Sequence, residues 1–285
     1  MAEMQSVGNV LQSIMQRAES NADRNEEDYI NPTDGLLWCG KCNTPKQCRV
    51  MLFGKERTPY CLCKCGQERL ENEKAERERQ ERFAEGQRLK TVSGMSAALL
   101  RSNFDGYRVT PENQKAYALC GRYAERFEKM PKKNQGLLLW GGVGTGKTFS
   151  AACIANALLD RGISVVMTSF AQLLGKGKGF DIDSETVDRL NRARLLIIDD
   201  LGAERNTDFA LEKVYSIIDS RYQSGLPMIL TTNLDLQEMQ TCTDIRYKRV
   251  YERVLEVCYP VRFSGNSLRK AEAANRFREM EEFLK

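Results

Sequence analysis

Histidine does not occur in this chain of 285 residues, and its absence removes several chemistries before any motif is read. Neither a Ser-His-Asp triad nor a histidine-dependent zinc hydrolase can be assembled here. Long hydrophobic runs are missing too: nothing approaches the roughly 20 apolar residues that span a bilayer. The opening, MAEMQSVGNVLQSIMQRAES, lacks the basic n-region and the continuous apolar stretch of a secretory signal. Neither sign of charge is in large excess, because 43 Lys and Arg stand against 39 Asp and Glu for a net +4. Any affinity for nucleic acid must therefore come from local patches. No internal repeat is found. These absences point to a cytoplasmic protein without a membrane span, in which clustered cysteines bind metal more often than they form disulfides.

What is present fits a folded chain. Apolar residues make up 41% and there are 21 glycines, the ordinary globular range, with length for one large domain and a smaller one. Within residues 1–30, Val7, Val10, Leu11, Ile14 and Met15 form one stripe of an amphipathic helix, followed by a polar, acidic linker. That helix suits docking to a partner as well as packing on its own chain. Residues 36–66 are rich in cysteine. Residues 67–90 are almost wholly charged, with Glu73 and Arg77, then Glu78 and Arg82, at i, i+4 spacing; they suit a solvated helical arm that links two domains.

Of the ten cysteines, six fall between residues 39 and 65, while Cys120, Cys153, Cys242 and Cys258 are scattered and read as small core hydrophobes. With no histidine available, four thiolates make the usual structural zinc site open to the cluster. Cys39-x2-Cys42 supplies one half and Cys61-x-Cys63-x-Cys65 the other. Cys39, Cys42, Cys61 and Cys63 are the first choice, Cys65 is the alternative, and Cys48 is a bystander. A segment with so few large apolar groups needs a metal to fold. Its basic residues and the interleaved Trp38, Phe53 and Tyr60 leave a modestly basic surface that could touch DNA or a protein.

From residue 91 to 285, apolar runs alternate with helical patterns. Gly136 to Trp140, Ile163 to Thr168, Leu195 to Asp199, Met228 to Thr232 and Tyr259 to Phe263 read as buried strands. Amphipathic stretches near 146–161, 208–224 and 245–257 separate them, and a charged helix closes the chain over 267–284. The alternation predicts an α/β domain with a parallel sheet flanked by helices.

The strongest motif is Gly141-Gly142-Val143-Gly144-Thr145-Gly146-Lys147-Thr148, set between a strand and a helix. It matches the complete P-loop pattern in its required context. Glycines let successive N–H groups curl around phosphate oxygens, Lys147 adds a cation at the outer phosphates, and Thr148 offers its hydroxyl to magnesium. Farther on, Leu195 to Ile198 deliver Asp199 and Asp200 to a strand's C-terminal end, where open α/β sheets bind ligands. Asp199 is the expected magnesium partner, and Asp200 the residue that orients or deprotonates the attacking water. Asn233, at the end of the strand MILTT, can bond the water and the γ-phosphate together. Arg246, Arg249 and Arg253 share one helix and Arg269 follows the turn SGNS; arginine neutralises charge on a transferred phosphoryl group, in cis or from a neighbouring subunit.

The P-loop, the strand ending in paired acids, the strand ending in TTN, RVYERV and then GNSLR resemble the ATPase of replicative-helicase loaders of the DnaC/DnaI type. These belong to the IstB-like ATP-binding group of AAA+ proteins. The segment Asn103-Phe104-Asp105-Gly106-Tyr107 is similar to the family's motif ahead of the nucleotide site, and VGNVLQSIMQR to the helicase-docking helix of some loaders. The resemblance implies that Asn233 is sensor I, Arg253 an arginine finger acting on a neighbour's ATP, and Arg269 sensor II. Asp200 departs from the family, which commonly carries Glu there, and the shorter carboxylate bears on the hydrolysis rate. Some such loaders carry zinc modules before the ATPase. Related loaders also meet single-stranded DNA in the region of Gly175 to Phe180, where Lys176 and Lys178 are cations beside an aromatic platform.

The resemblance thus implies a slow ATPase that uses ATP and Mg2+, carries Zn2+, self-assembles on ATP, and loads a hexameric replicative DNA helicase onto single-stranded DNA. A transposase-helper ATPase and a non-hydrolysing, ATP-dependent adaptor switch are the alternatives.

Overall fold

The computed structural model describes residues 25–52, 54–130, 135–175, 184–202 and 208–285. The N-terminal stripe ending at Met15, Phe53, and the Lys176 and Lys178 loop lie outside the described residues. The chain divides into two compact units between Glu81 and Arg82.

The first unit holds two small antiparallel ribbons, β1 (Tyr29–Ile30) with β2 (Leu37–Trp38) and β3 (Val50–Leu52) with β4 (Lys55–Arg57). Helix α1 (Lys64–Val92) starts here. Among its described residues, the buried apolar side chains are Leu37, Cys39 and Cys63, so its interior is made of thiols more than hydrocarbon. A buried ion pair, Lys46 to Asp28 at 2.6 Å, completes that interior.

The second unit is built on a five-stranded parallel sheet in the order β6-β7-β8-β5-β9. Its strands are β5 (Gly136–Gly141), β6 (Val165–Ser169), β7 (Leu195–Leu201), β8 (Met228–Thr232) and β9 (Cys258–Phe263). Side chains alternate between faces with period two. Leu137, Leu139, Leu195, Ile197 and Ile229 enter one core layer, whereas Leu138, Leu196, Ile198 and Leu230 enter the other. Helices α2 (Gln114–Arg126) and α3 (Lys147–Leu159) cover the first face; α6 (Asp208–Gln223) and α8 (Ile245–Val257) cover the second. The remaining helices are α4 (Phe170–Gly175), α5 (Ser184–Arg192), α7 (Leu236–Gln240) and α9 (Leu268–Phe283).

The expected strands and helices are present, with differences that have local causes. Strand β6 begins at Val165, because Ile163 belongs to the turn that ends α3: Gly162 takes φ +76 and the Ile163 N–H donates to the Leu158 carbonyl. The charged arm is one helix, α1, extending from Lys64 to Val92. Its last turns belong to the second unit, where Gly86 is buried against Leu159 and Lys90 pairs with Asp160 at 2.6 Å. Among the described residues, no helix is long and apolar enough to cross a membrane.

Parallel pairing aligns the C-terminal ends of β5, β7 and β8 at one edge. The P-loop, the acid pair and Asn233 are thereby delivered to the same place by three different strands.

Candidate functional site

The P-loop leaves β5 through Gly141, whose φ is +134; a Cβ there would lie 2.0 Å from the Phe263 carbonyl oxygen. Gly144 takes φ +79, and a Cβ would lie 2.2 Å from Ser267 Oγ. This close approach ties the loop to α9, since the Leu268 N–H donates to the Gly144 carbonyl at 2.9 Å. Arg269, the next residue, therefore stands over the loop. Gly146, at φ +100, caps α3 and aims that helix's N-terminal N–H groups at the loop.

Lys147 is buried, and its Nζ donates to the carbonyls of Gly141 and Gly142 at 2.7 Å each and to Asn233 Oδ1 at 2.8 Å. Burial pushes its ammonium below the usual lysine range, while Asp200 and Asp199 pull it back. The Thr148 hydroxyl donates to Asp199 Oδ1 at 2.9 Å and Oδ2 at 3.1 Å. Burial holds the Asp199 carboxyl above the usual range against the lowering effect of bonds from Thr231 and Thr148. A hydroxyl and a carboxylate at one point form a hard-oxygen set that suits Mg2+.

Lys147, Thr148, Asp200, Asn233 and Arg269 line one cleft of about 530 Å³. Of the catalytic residues expected from sequence, Asp200, Asn233 and Arg269 thus converge, whereas Arg253 stands apart on α8, held by α6; Arg246 and Arg249 of the same helix do not line the cleft either. Its Nη2 meets Asp219 Oδ1 at 2.8 Å and Tyr215 Oη at 3.2 Å, and its guanidinium lies 4.8 Å from the Tyr222 ring centre.

The cleft is also lined by apolar and aromatic groups, Leu99, Tyr107, Phe149 and Leu268, together with Arg108. Tyr107 packs edge-on to Phe149 at 5.6 Å, and its hydroxyl bonds Ser150 Oγ at 2.8 Å. Sequence reasoning reached Tyr107 by resemblance alone and missed Arg108. The available signal was an aromatic-rich segment preceding the P-loop strand.

In the first unit, the thiol sulphurs of Cys39, Cys42, Cys63 and Cys65 all lie within 4.8 Å of one another. Zinc–sulphur bonds of ~2.3 Å in a tetrahedron require sulphurs about 3.8 Å apart, so the four could hold a zinc-sized ion. This corrects the first choice of ligands: Cys65 takes the place expected of Cys61. The Cys61 thiol instead donates to the Pro45 carbonyl at 3.6 Å, while Cys65 lies 3.3 Å from Cys63 and 3.6 Å from Cys39. Crowding sets the charges. A hydrogen bond with the Thr44 hydroxyl lowers Cys42 to about 6, and the neighbouring Cys63 sulphur raises Cys65 to about 12. Four adjacent thiolates repel, and a divalent cation removes that repulsion.

Comparison with known proteins agrees with this geometry. Residues 68–275 match the family model described as IstB-like ATP binding protein. The chain is 30% identical over 183 residues to "Replicative helicase loader DnaC" of Escherichia coli (strain K12), covering 62% of this chain and 72% of that protein. It is 27% identical over 150 residues to "Replicative helicase loader DnaI" of Bacillus subtilis (strain 168), spanning about half of each chain, 48%. A solved structure titled "Crystal Structure of the DnaI" superposes with a TM-score of 0.51 at 28% identity, over 61% of this chain and 93% of that one. With a complete P-loop on a parallel AAA+ sheet and a family match across most of its length, this chain belongs to the IstB-like ATP-binding proteins of the DnaC/DnaI type.

Proposed function

We propose that this protein is an ATP-dependent loader of a replicative DNA helicase onto single-stranded DNA. The observation that carries the reading is the convergence of Lys147, Thr148, Asp200, Asn233 and Arg269 on one cleft, in a chain whose relatives are named replicative helicase loaders. The backbone from Gly141 to Thr148, with Val143 and Thr145 between the glycines, cradles the phosphates, and Lys147 exchanges its bonds to loop carbonyls for phosphate oxygens. Mg2+, held by Thr148 and Asp199, would supply positive charge against the outer phosphates. Asp200 orients the attacking water, Asn233 fixes that water relative to the γ-phosphate, and Arg269 neutralises charge in cis.

Arg253 completes a neighbour's site, so hydrolysis depends on an ATP-bound homo-oligomer. Zn2+ held by Cys39, Cys42, Cys63 and Cys65 would fix the fold of residues 36–66. Residues 67–90 link that module to the ATPase of residues 91–285, residues 1–30 dock to the hexameric helicase, and Lys176 and Lys178 touch single-stranded DNA.

The test is capture of the host's hexameric helicase by the purified full chain with ATP, combined with hydrolysis measured with and without single-stranded DNA. Failure to capture the helicase while hydrolysis persists would overturn the loader role and leave the ATPase. Asp200, in place of the family's usual Glu, favours one second reading, an ATP-licensed adaptor that does not hydrolyse. Single-turnover hydrolysis separates the two.

A further inference from the structure

Strand β8 ends in Thr231-Thr232-Asn233, and the reading above uses only the asparagine. Both threonines are fully buried, at 0% exposure, and both hydroxyls reach β7 at the point where its ladder breaks. The register pairs Ile198 with Leu230 and then Leu201 with Thr232, so Asp199 and Asp200 together oppose the single residue Thr231. Such a bulge leaves backbone groups without ladder partners. Here hydroxyls replace those partners. The Asp200 N–H donates to Thr231 Oγ1 at 2.9 Å, and the Thr232 hydroxyl donates to the Leu201 carbonyl at 2.7 Å. Thr231 has one proton to give, and it gives it to Asp199 Oδ1 at 2.6 Å.

The bulge sets the two carboxylates in different directions. Leu195 and Ile197 enter the α3 layer, and Asp199 follows them toward Thr148. Strict alternation would send Asp200 to the opposite face with Leu196 and Ile198. Asp200 instead takes φ +61 and lines the cleft. That left-handed backbone is one a non-glycine residue keeps only where its surroundings enforce it. The Thr231 hydroxyl is the group that touches both acids at the turn.

We infer that Thr231 is a positioning residue of the nucleotide site: its hydroxyl pins the β7 bulge so that Asp199 faces the metal position while Asp200 faces the cleft. The inference rests on the ATPase reading above. Valine has nearly the same shape as threonine, so a role confined to packing predicts no loss on Thr231→Val.

The experiment compares the full-length parent with Thr231→Val and Thr231→Ser. Three quantities are measured: nucleotide affinity in Mg2+ and in chelator, the Mg2+ concentration for half-maximal affinity, and kcat with KM. Thr231→Val is expected to keep the parent's affinity in chelator and to lose part of the gain that Mg2+ brings. Its kcat should fall about 10- to 100-fold, as for loss of a hydrogen bond to a charged group, with KM little changed. Thr231→Ser keeps the hydroxyl and should recover most of both. If Thr231→Val does not fold, Thr231→Ser against Thr231→Ala isolates the same hydroxyl. Valine at parental Mg2+ dependence and rate, or serine as impaired as valine, overturns the inference. A parent that binds Mg2+ and nucleotide without hydrolysis overturns the ATPase reading alone, and the Mg2+ dependence of affinity still decides the role of Thr231.

Discussion

Arg253 and Asp219 form an ion pair, Nη2 to Oδ1 2.8 Å, that joins α8 to α6 outside the chain's own nucleotide cleft. The guanidinium also lies over the rings of Tyr222 and Tyr215, 4.8 Å and 5.6 Å from their centres. An arginine so placed does not line the cleft that holds its own P-loop, which agrees with the proposal that it acts on a neighbour. Arg253→Ala should bind ATP nearly as the parent does, yet hydrolysis should fall by ~10³-fold or more. Mixing it with Lys147→Ala protein should restore part of the rate, because one interface can pair an intact P-loop with an intact finger. Arg269→Ala, acting in cis, should not be rescued in this way. No recovery for Arg253 under conditions of proven assembly would remove the oligomer from the mechanism.

Lys147 presents the cation nearest Asn233 in the cleft, 2.8 Å from its Oδ1. Removing it leaves the backbone cradle but no charge between the outer phosphates, so Lys147→Ala should weaken ATP binding by about 10- to 100-fold. Equilibrium titration with a fluorescent ATP analogue measures this directly. Unchanged affinity would disprove the P-loop assignment.

Within the second half of the cysteine cluster, mutation separates the ligand Cys65 from its neighbour Cys61. Purified protein should hold about one zinc per chain. Cys65→Ser should release it, whereas Cys61→Ser should retain it, because only the Cys65 sulphur lies among the other three. Metal analysis after chelator challenge decides the matter, and equal loss from both variants would count against the four-thiol assignment.

Arg221 is fully buried, and its described hydrogen bonds go to main-chain carbonyls: Leu190 at 3.2 Å, Asn191 at 3.5 Å, Arg194 at 3.3 Å and Pro227 at 2.8 Å. It stitches the loops that feed β7 and β8, on the side of the sheet opposite the cleft. Burial lowers its ordinary value to about 10. Arg221→Met would leave these carbonyls short of a donor, at a cost of about 2–4 kcal/mol. A unit of this size loses about 2–4 °C of melting temperature per kcal/mol. Calorimetry should therefore show a drop of several degrees, with the zinc content unaffected; an unchanged melting temperature would contradict this role.

Much of this protein was settled by sequence alone. The β5, β7 and β8 runs, the P-loop and helices α3, α6 and α8 are legible because local patterning dictates them: a buried parallel strand is an unbroken apolar run, and a phosphate loop needs its glycines in order; β9 is legible as a strand, but its place at the sheet edge leaves Tyr259 62% exposed rather than buried. Three points were decided only by tertiary structure. Cys61, Cys63 and Cys65 share one spacing, so sequence cannot rank them; the start of α1 at Lys64 folds Cys65 back to within 3.3 Å of Cys63. The direction of Asp200 depends on a bulge held by hydroxyls of another strand, thirty-odd positions along the chain, where the local pattern alone would place it on the wrong face. Arg253 carries the same charge as Arg246 and Arg249 and is singled out in the sequence by resemblance alone; its contacts with Asp219 and Tyr215 of α6 appear only in the fold. Periodicity reports which face of its own element a residue occupies; which distant groups meet it there is set by how the elements pack.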